Sequence, residues 1–484
     1  MHRTRFGVFA ALLLHLVALG ALSAQTEIRQ GSLSSGTSTS SGSGGIELGS
    51  SLGLAAYQPV TSGAYELKGG FWPALLRSNL STARNFDAIP GSNRVLLRWD
   101  AIGTGPLLFQ VSRSITRSGP FATLGVRPFS GAPSYTFLDT TAIAGTRYFY
   151  LLSEVYTTAG ITVPRALTES AAYGAVLPPG VVRVGPGAFA SIDAAIAAAP
   201  PGTAIWTVLV DPGTYPSFRV TTSAPPVLQI VGDGTGNATI DSSTGPIEVH
   251  TRDLHQQTYL ANLVLGNQTS TRPGLRVVNC NGPVIVDRCT IRAASTSPAL
   301  SIQAAVSIAV QRCVLTGNPG ASFDQARASM IKSSTTGLAL RQGSRVEIGE
   351  LSNTGGRAVE AGSTLIDVLG TIPDMDTPVF VGADQLFELR LRTDPSQPYQ
   401  MLFSFGLGYV GFLPHELPLL ADLLYLSPVL NGVTDARGEA RFQLLFPSSA
   451  AALYGAPFTL QSFVLLTNPL RARFSNVVTK IGLP

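Results

Sequence analysis

Val284-Ile285-Val286-Asp287-Arg288-Cys289-Thr290-Ile291 is followed 24 residues later by Ile308-Ala309-Val310-Gln311-Arg312-Cys313-Val314-Leu315. Apolar residues fall at the same places in both stretches, and an Arg-Cys step closes each. Working outward, apolar pairs two residues apart recur as Ala238/Ile240, Leu263/Leu265, Cys289/Ile291, Cys313/Leu315 and Leu338/Leu340, at steps of 25, 26, 24 and 25 residues. Side chains two apart lie on one face of a strand. A repeat of ~20–50 residues marks a solenoid, whose units bury their apolar face only by stacking.

The approach to this repeat has its own order. Ser191 is an N-cap for a short helix in which Ile192, Ala195, Ile196 and Ala199 share a face, and Pro200-Pro201-Gly202 ends it. The strand Trp206–Val210, the turn Asp211-Pro212-Gly213 and the strand Val227-Leu228-Gln229-Ile230-Val231 follow. This order resembles the start of the pectin-lyase-like families, pectinesterases in particular. The resemblance implies a right-handed parallel β-helix, spanning 181–371 in roughly seven or eight coils, with the helix plugging one end.

The flanks also read as β-structure, so the expected class is all-β. Residues 79–177 show short alternating strands: Val95–Trp99, Leu108–Ser112, Tyr135–Asp139 and Tyr148–Tyr150. Trp99, with Asp139 ahead of Gly145-Thr146-Arg147-Tyr148-Phe149-Tyr150, resembles a fibronectin type III sandwich. No Arg-Gly-Asp stands in its loops. Residues 372–484 read as a second small β-sandwich, with strands at 386–391, 439–444 and 458–465 and a turn at Asp435-Ala436-Arg437-Gly438. A helix over 413–426 is weakened by Pro414 and Pro418. Residues 25–78 are a Gly/Ser/Thr-rich leader, in which Ile46-Glu47-Leu48-Gly49 is echoed by Tyr65-Glu66-Leu67-Lys68 before Gly69-Gly70-Phe71-Trp72-Pro73; it resembles the N-termini of large secreted bacterial proteins. Residues 1–24 read as a signal peptide: Arg3 and Arg5, an apolar run from Gly7 to Gly20, then small residues. That run is shorter than the ~20 residues a membrane span needs. The chain is therefore expected to be secreted or at a cell surface.

Composition narrows the partners. Charged residues make up 13% and the net charge is +4, against about 25% charged residues in ordinary domains. Arginines are scattered with no basic run, so nucleic acid is not an expected partner. Polysaccharide or a cell-surface component is. No cofactor is called for. The three cysteines, Cys280, Cys289 and Cys313, form no disulfide framework. Cys289 and Cys313 are expected to stack as small buried hydrophobes, with parallel side chains that disfavour a bridge. Asn79, Asn237 and Asn267 begin glycosylation triplets.

Several residues are candidates for chemistry. Enzymes of the resembled fold use carboxylates or Arg on outer strand faces, which singles out Asp287 with Arg288, and Glu248 with His250; Arg312 flanks Gln311, which takes the place of Asp287 one coil on. Asp233 and Asp241 are further carboxylates, although Asp211 and Asp233 match turn positions. Glu248, His250, Asp253 and His255 lie within eight residues and are candidate metal ligands; a solvated turn accounts for them as well. His415 beside Glu416 reads as a surface pair. The motifs Asn-Thr-Asp, Gly-His-Gly, Arg-Ile-Lys and Asp-Phe-Ile-Phe-Gly of the pectin-active enzymes are absent. The reading is thus a non-catalytic scaffold or adhesion protein presenting its solenoid to a polysaccharide or cell-surface partner. The alternative is a polysaccharide lyase, esterase or hydrolase. That alternative requires an outer cleft holding two carboxylates, or one carboxylate with an Arg or His.

Overall fold

A computed structural model describes four short strands before residue 83 and, from Ala83 on, every residue except 103–105, 157–161, 174–176, 354, 369–370, 377–379, 383–384, 405–406, 411–418, 422–426, 447–456, 468–469, 476–477 and 484. The expected signal peptide, the Gly-Gly-Phe-Trp-Pro motif, Asn79 and His415 lie outside the described residues. The echoed leader segments each form a strand of a two-stranded antiparallel pair, Thr39–Ser41 with Glu47–Gly49 and Val60–Ser62 with Tyr65–Leu67. Among the described residues no helix is long and apolar enough to cross a membrane.

The chain divides into two compact units. The first gathers residues up to Phe86 with Arg98–Phe137 and Phe149–Thr168. Its core is aromatic. Trp99 is wholly buried, stacked on Tyr135 with ring centroids 5.8 Å apart and met edge-on by Phe109 at 5.4 Å. The strands Leu108–Ser114, Ala122–Pro128, Arg147–Val155 and Thr162–Ala171 form one sheet, in which Leu108–Ser114 pairs antiparallel with both Ala122–Pro128 and Arg147–Val155.

The second unit, Asp87–Leu97 with Leu138–Tyr148 and Glu169–Pro484, holds the solenoid. Three parallel sheets share its coils: a first face of nine strands from Val181–Val184 to Thr364–Val368, a second of seven from Gly213–Pro216 to Ser352–Asn353, and a third of seven from Arg219–Val220 to Arg357–Val359. Each coil visits the faces in that order, so equivalent residues stack into columns. Val208, Ile230, Leu260, Val286, Val310, Met330 and Ile348 are one inward column of the first face. Tyr215, Ile240, Leu265, Ile291 and Leu315 are one of the second, and Val220, Val249, Val277, Ile302, Phe323 and Leu340 one of the third. All belong to a single buried cluster. Free Cys289 and Cys313 stack within it, and burial pushes the Cys313 thiol up.

One expected rung is misplaced. Leu338/Leu340 lies on the third face, registered with Ala321/Phe323. The residue that follows Leu315 on the second face is Thr335, and Asn353 follows that. The cause is loop length. The connections between the second and third faces contain two, six, nine, seven, four, two and three residues in successive coils, so the late coils are shorter than 25 residues and the period slips.

In the middle and later coils, two corners are turned by a single left-handed residue. Asn262, Arg288, Arg312, Lys332 and Glu350 turn from the first face to the second, with φ of 49–54° apart from Lys332 at 47°. Thr251, Asn279, Ala304, Gln325 and Gln342 turn from the third face into the next coil, with φ of 49–52°. Their amides are satisfied by the coil above: Arg288 N–H donates to Gln311 O, and Ala304 N–H to Asp324 O.

The two ends of the stack differ. At the start, the helix Ile192–Ala197 is capped by the Ser191 hydroxyl accepting from the Ala194 amide. It buries Ile192 and Ala195 on the core, and Trp206 Nε1 donates to Ala195 O at 2.9 Å. At the far end, Asp367 follows Ile348 in the inward column and pairs with Arg357 at 3.2 Å. A charge placed where an apolar residue belongs blunts an edge against further pairing. Beyond it, Gln385–Arg392 pairs with Glu439–Phe446, and Pro398–Ser404 with Ser427–Val433 and Pro457–Thr467, around Met375, Leu389, Leu391, Tyr399 and Met401. Gly438 closes the Asp435 turn at φ 77°. Of the stretch 413–426, Leu419–Ala421 is strand, and the rest lies outside the described residues.

The corners yield a test. Left-handed backbone costs a residue with a Cβ ~1–2 kcal/mol, so Ala304→Gly is expected to stabilise the protein by about 0.5–1 kcal/mol, part of the gain being offset by the freer unfolded chain. A urea unfolding midpoint unchanged or lowered by the substitution would count against the corner account.

Candidate functional site

The first face carries buried residues on both sides. Its outward columns include Leu209, Val231, Tyr259, Ala261, Ile285 and Ala309, which form their own buried cluster with Tyr173. Asp287 stands in this covered layer, wholly buried and registered with Gln311. Arg312 Nη2 donates to both its oxygens at 2.7 Å, Arg312 Nε reaches Oδ1 at 2.9 Å, and Tyr259 OH donates to Oδ2 at 3.0 Å. Arg288 Nε is 3.3 Å away. Arg312 also donates to Met375 O at 3.0 Å. The acid and its arginines thus act as a buried staple that ties two coils to the segment after the solenoid. Burial and the Asp287 charge push the Tyr259 phenol up.

The Glu248 group is spread apart. Glu248 is nearly buried on the third face, between Arg219 at 3.1 Å and Arg276 at 3.0 Å. His250 is half-buried, its Nδ1 bonded to Thr251 Oγ1 at 2.6 Å. Asp253 and His255 are exposed. Among the described residues no three His, Cys, Asp or Glu side chains come together as a set able to hold a metal. Between these candidates sits a residue that sequence reasoning missed. Arg252 is wholly buried, its guanidinium donating to the carbonyls of Thr221, Ala224, Pro225, Pro226 and Gln257 at 2.8–3.3 Å. Burial without a carboxylate in contact lowers its pKa to about 10. No local signal marked it, since the carbonyls it meets at 221–226 belong to the coil before.

Asp233 closes a turn, whereas Asp211 makes no turn-closing side-chain bond and has its Oδ1 covered. Asp233 accepts from the Thr235 amide at 2.8 Å and from its hydroxyl, and Arg183 Nε stands 3.4 Å from Asp211. Burial raises both carboxyls, Asp233 to about 6; Thr235 opposes the shift and Asp211 adds to it. Asp241 is anchored by Ser243 and Asn267, contacts that lower its pKa.

An open polar groove lies elsewhere, on the outer side of the third face. It encloses about 360 Å³. Arg276, Ser301 and Ser322 form one column of its floor, and Gln303, Asp324 and Arg341 the next, each registered on the rung before. The seven-residue and four-residue loops of successive coils supply its walls, Thr296 and Pro298 from one, Asn318 and Pro319 from the other. The two-residue loop of the following coil leaves the Arg341 end low. Arg276 bridges Glu248 and Gln303, at 3.0 and 3.2 Å. The Asp324 carboxylate makes no hydrogen bond or ion pair with any described residue, and its Oδ1 is covered. One carboxylate and two arginines thus converge on an accessible surface, the arrangement the enzymatic alternative requires. Sequence reading named Glu248, which supports the floor, and none of the lining residues.

No protein-family model and no curated protein matches the chain. Among solved structures it is similar to a pectate lyase of Pectobacterium carotovorum, at 14% identity over 55% of this chain and 84% of that one, TM-score 0.17. It is also similar to a family 28 exopolygalacturonase of Yersinia enterocolitica, at 10% identity over 60% and 82%, TM-score 0.22, and to a superoxide reductase of Ignicoccus hospitalis, at 14% identity over 23% and 81%, TM-score 0.16. Values this low carry no argument. The parallel architecture rests on the strand registers themselves.

Two outcomes follow from these charges. Arg312→Ala leaves the buried Asp287 charge with only Tyr259 and the longer Arg288 contact, so a loss approaching the ~3–5 kcal/mol of a broken buried pair is expected; a chemical-denaturation loss under 1 kcal/mol would remove the staple. For Asp233 the folded pKa is the higher one, so the folded state holds the extra proton. Its contribution is full below the unfolded value near 4 and is lost as pH rises through about 6. Asp233→Asn is expected to raise stability at pH 7 by the order of 2–3 kcal/mol relative to pH 4, read as the difference between variant and parent unfolding curves. A parallel pair of curves would refute it.

Proposed function

We propose that this is a secreted protein whose right-handed β-helix binds polysaccharide in the groove on its third face, without cleaving it. On this reading 79–177 is a fibronectin type III-like sandwich, 181–371 the binding solenoid and 372–484 a second sandwich, the flanking modules holding the solenoid at a cell surface or in a matrix. The observation that carries it is the groove: polar side chains from four successive coils form an open floor at the regular ~4.8 Å rung spacing of a sheet, a surface suited to a repeating polymer. Its lining has a single carboxylate, Asp324, whereas glycoside hydrolysis calls for two placed ~5–9.5 Å apart. The second reading, a polysaccharide-active enzyme, is favoured by Asp324 with Arg276 and Arg341 on that floor. Both readings place the polymer in one site.

Affinity electrophoresis against a panel of plant and microbial polysaccharides is expected to show retardation, abolished by filling the floor with Ser322→Trp. Lack of retardation throughout the panel would end the proposal. New reducing ends or unsaturated products formed with turnover, and lost with Asp324→Asn, would establish the enzymatic reading instead.

A further inference from the structure

Resting on the polysaccharide-binding reading, we infer that the groove selects an uncharged glycan, whose hydroxyls donate to Asp324 and accept from Arg341, and rejects a polyuronate.

The charge arrangement of the floor carries this. A polyanion needs cations with charge to spare. Arg276 has few donors to spare: one arm is on Glu248 at 3.0 Å, a carboxylate it shares with Arg219, and the other is on Gln303 at 3.2 Å. Arg341 points no hydrogen bond or ion pair at any described residue, but Asp324 is its register partner one rung away. A ligand carboxylate reaching Arg341 would therefore lie within about 5 Å of the Asp324 charge, and like charges at that range repel.

Asp324 itself sets the complementary requirement. The side chain is only half-buried, lines the groove and receives no donor from any described residue, so a donor offered from the groove is favourable there. An alcohol supplies that donor, and its oxygen lone pairs can accept from the Arg341 guanidinium in turn. A sugar carboxylate supplies no proton. Vicinal hydroxyls are the common group that does both.

The rest of the groove is neutral. Ser301 and Ser322 leave room on the floor and exchange hydrogen bonds with hydroxyls in either direction. Pro298 and Pro319 stand on neighbouring rungs of the wall, linked through Ala299 N–H donating to Pro319 O. Their rings offer apolar surface to the C–H face of a pyranose.

Titration calorimetry with the full chain decides it, using neutral gluco-, xylo- and mannan oligosaccharides beside oligogalacturonate, at low and high salt. Binding of a neutral oligosaccharide with an affinity that salt leaves unchanged is expected, since no net ionic contact would be screened. Asp324→Asn and Arg341→Gln should each weaken it about tenfold, equivalent to ~1.4 kcal/mol, with parental thermal unfolding. Arg276→Gln should weaken it less than either. Binding of oligogalacturonate alone, weakened by salt, would overturn the inference and leave the polysaccharide reading standing. So would neutral binding that survives both Asp324→Asn and Ser322→Trp, because the ligand would then sit elsewhere. Binding of neither class defeats the polysaccharide reading itself.

Discussion

Everything in the second unit depends on one constraint: each coil must lay its inward residues over those of the coil before. Parallel ladders enforce it, and the corners make it possible. Ten corner residues hold φ near +50°, a region that favours Gly and Asn, yet only Asn262 and Asn279 among them are asparagines and none is glycine. The hydrogen bonds of the neighbouring coil outweigh the preference of Arg288, Arg312, Lys332, Ala304 or Glu350 for other backbone shapes. Identity at a corner is thereby released for other uses. On one corner it supplies charge: Arg288 and Arg312 hold Asp287, and Lys332 meets Glu350 at 2.6 Å.

The same constraint decides where a ligand can reach. The first face is buried on both sides, so its polar residues are structural whatever their chemistry. The third face is open, and its outer columns are framed by loops whose lengths vary while the strands do not. Loops connect the ladders without entering them, and a two-residue and a nine-residue connection serve the same register. The groove is the place where a long loop, a shorter one and a minimal one follow each other.

That freedom also explains how much of the molecule was legible in its sequence. Inward columns were legible wherever loop lengths stayed similar, which is why Ile240, Leu265, Ile291 and Leu315 could be aligned from spacing alone. The helix at Ser191 and the buried Trp99 were legible because capping chemistry and alternation are local. Leu340 was assigned to the wrong face because the coil before it had lost part of its loop. The groove was hidden for the same reason: Arg276, Asp324 and Arg341 come from three coils of unequal length, and no single period relates them. Asp287 misled differently. Its alternation placed it outward, correctly, but outward means solvent only if nothing covers the face, and that depends on segments distant in sequence, Tyr173 and Met375 among them.

Asp287 and Asp324 together show what distinguishes a structural carboxylate from a binding one here. Both lie on outward columns at the last residue of a strand, one before a left-handed corner. Asp287 is surrounded: a phenol and two arginines saturate it, and removing any of them leaves a charge in a covered layer. Three other acids of the solenoid follow the same rule at lower stakes, Glu248 with two arginines, Asp241 with Ser243 and Asn267, Asp367 with Arg357. Asp324 departs from it. It receives no hydrogen bond or ion pair from any described residue, although Arg341 occupies the next rung. Asp324 lies unbonded at the floor of the open groove, where a ligand with hydroxyl donors would complete it.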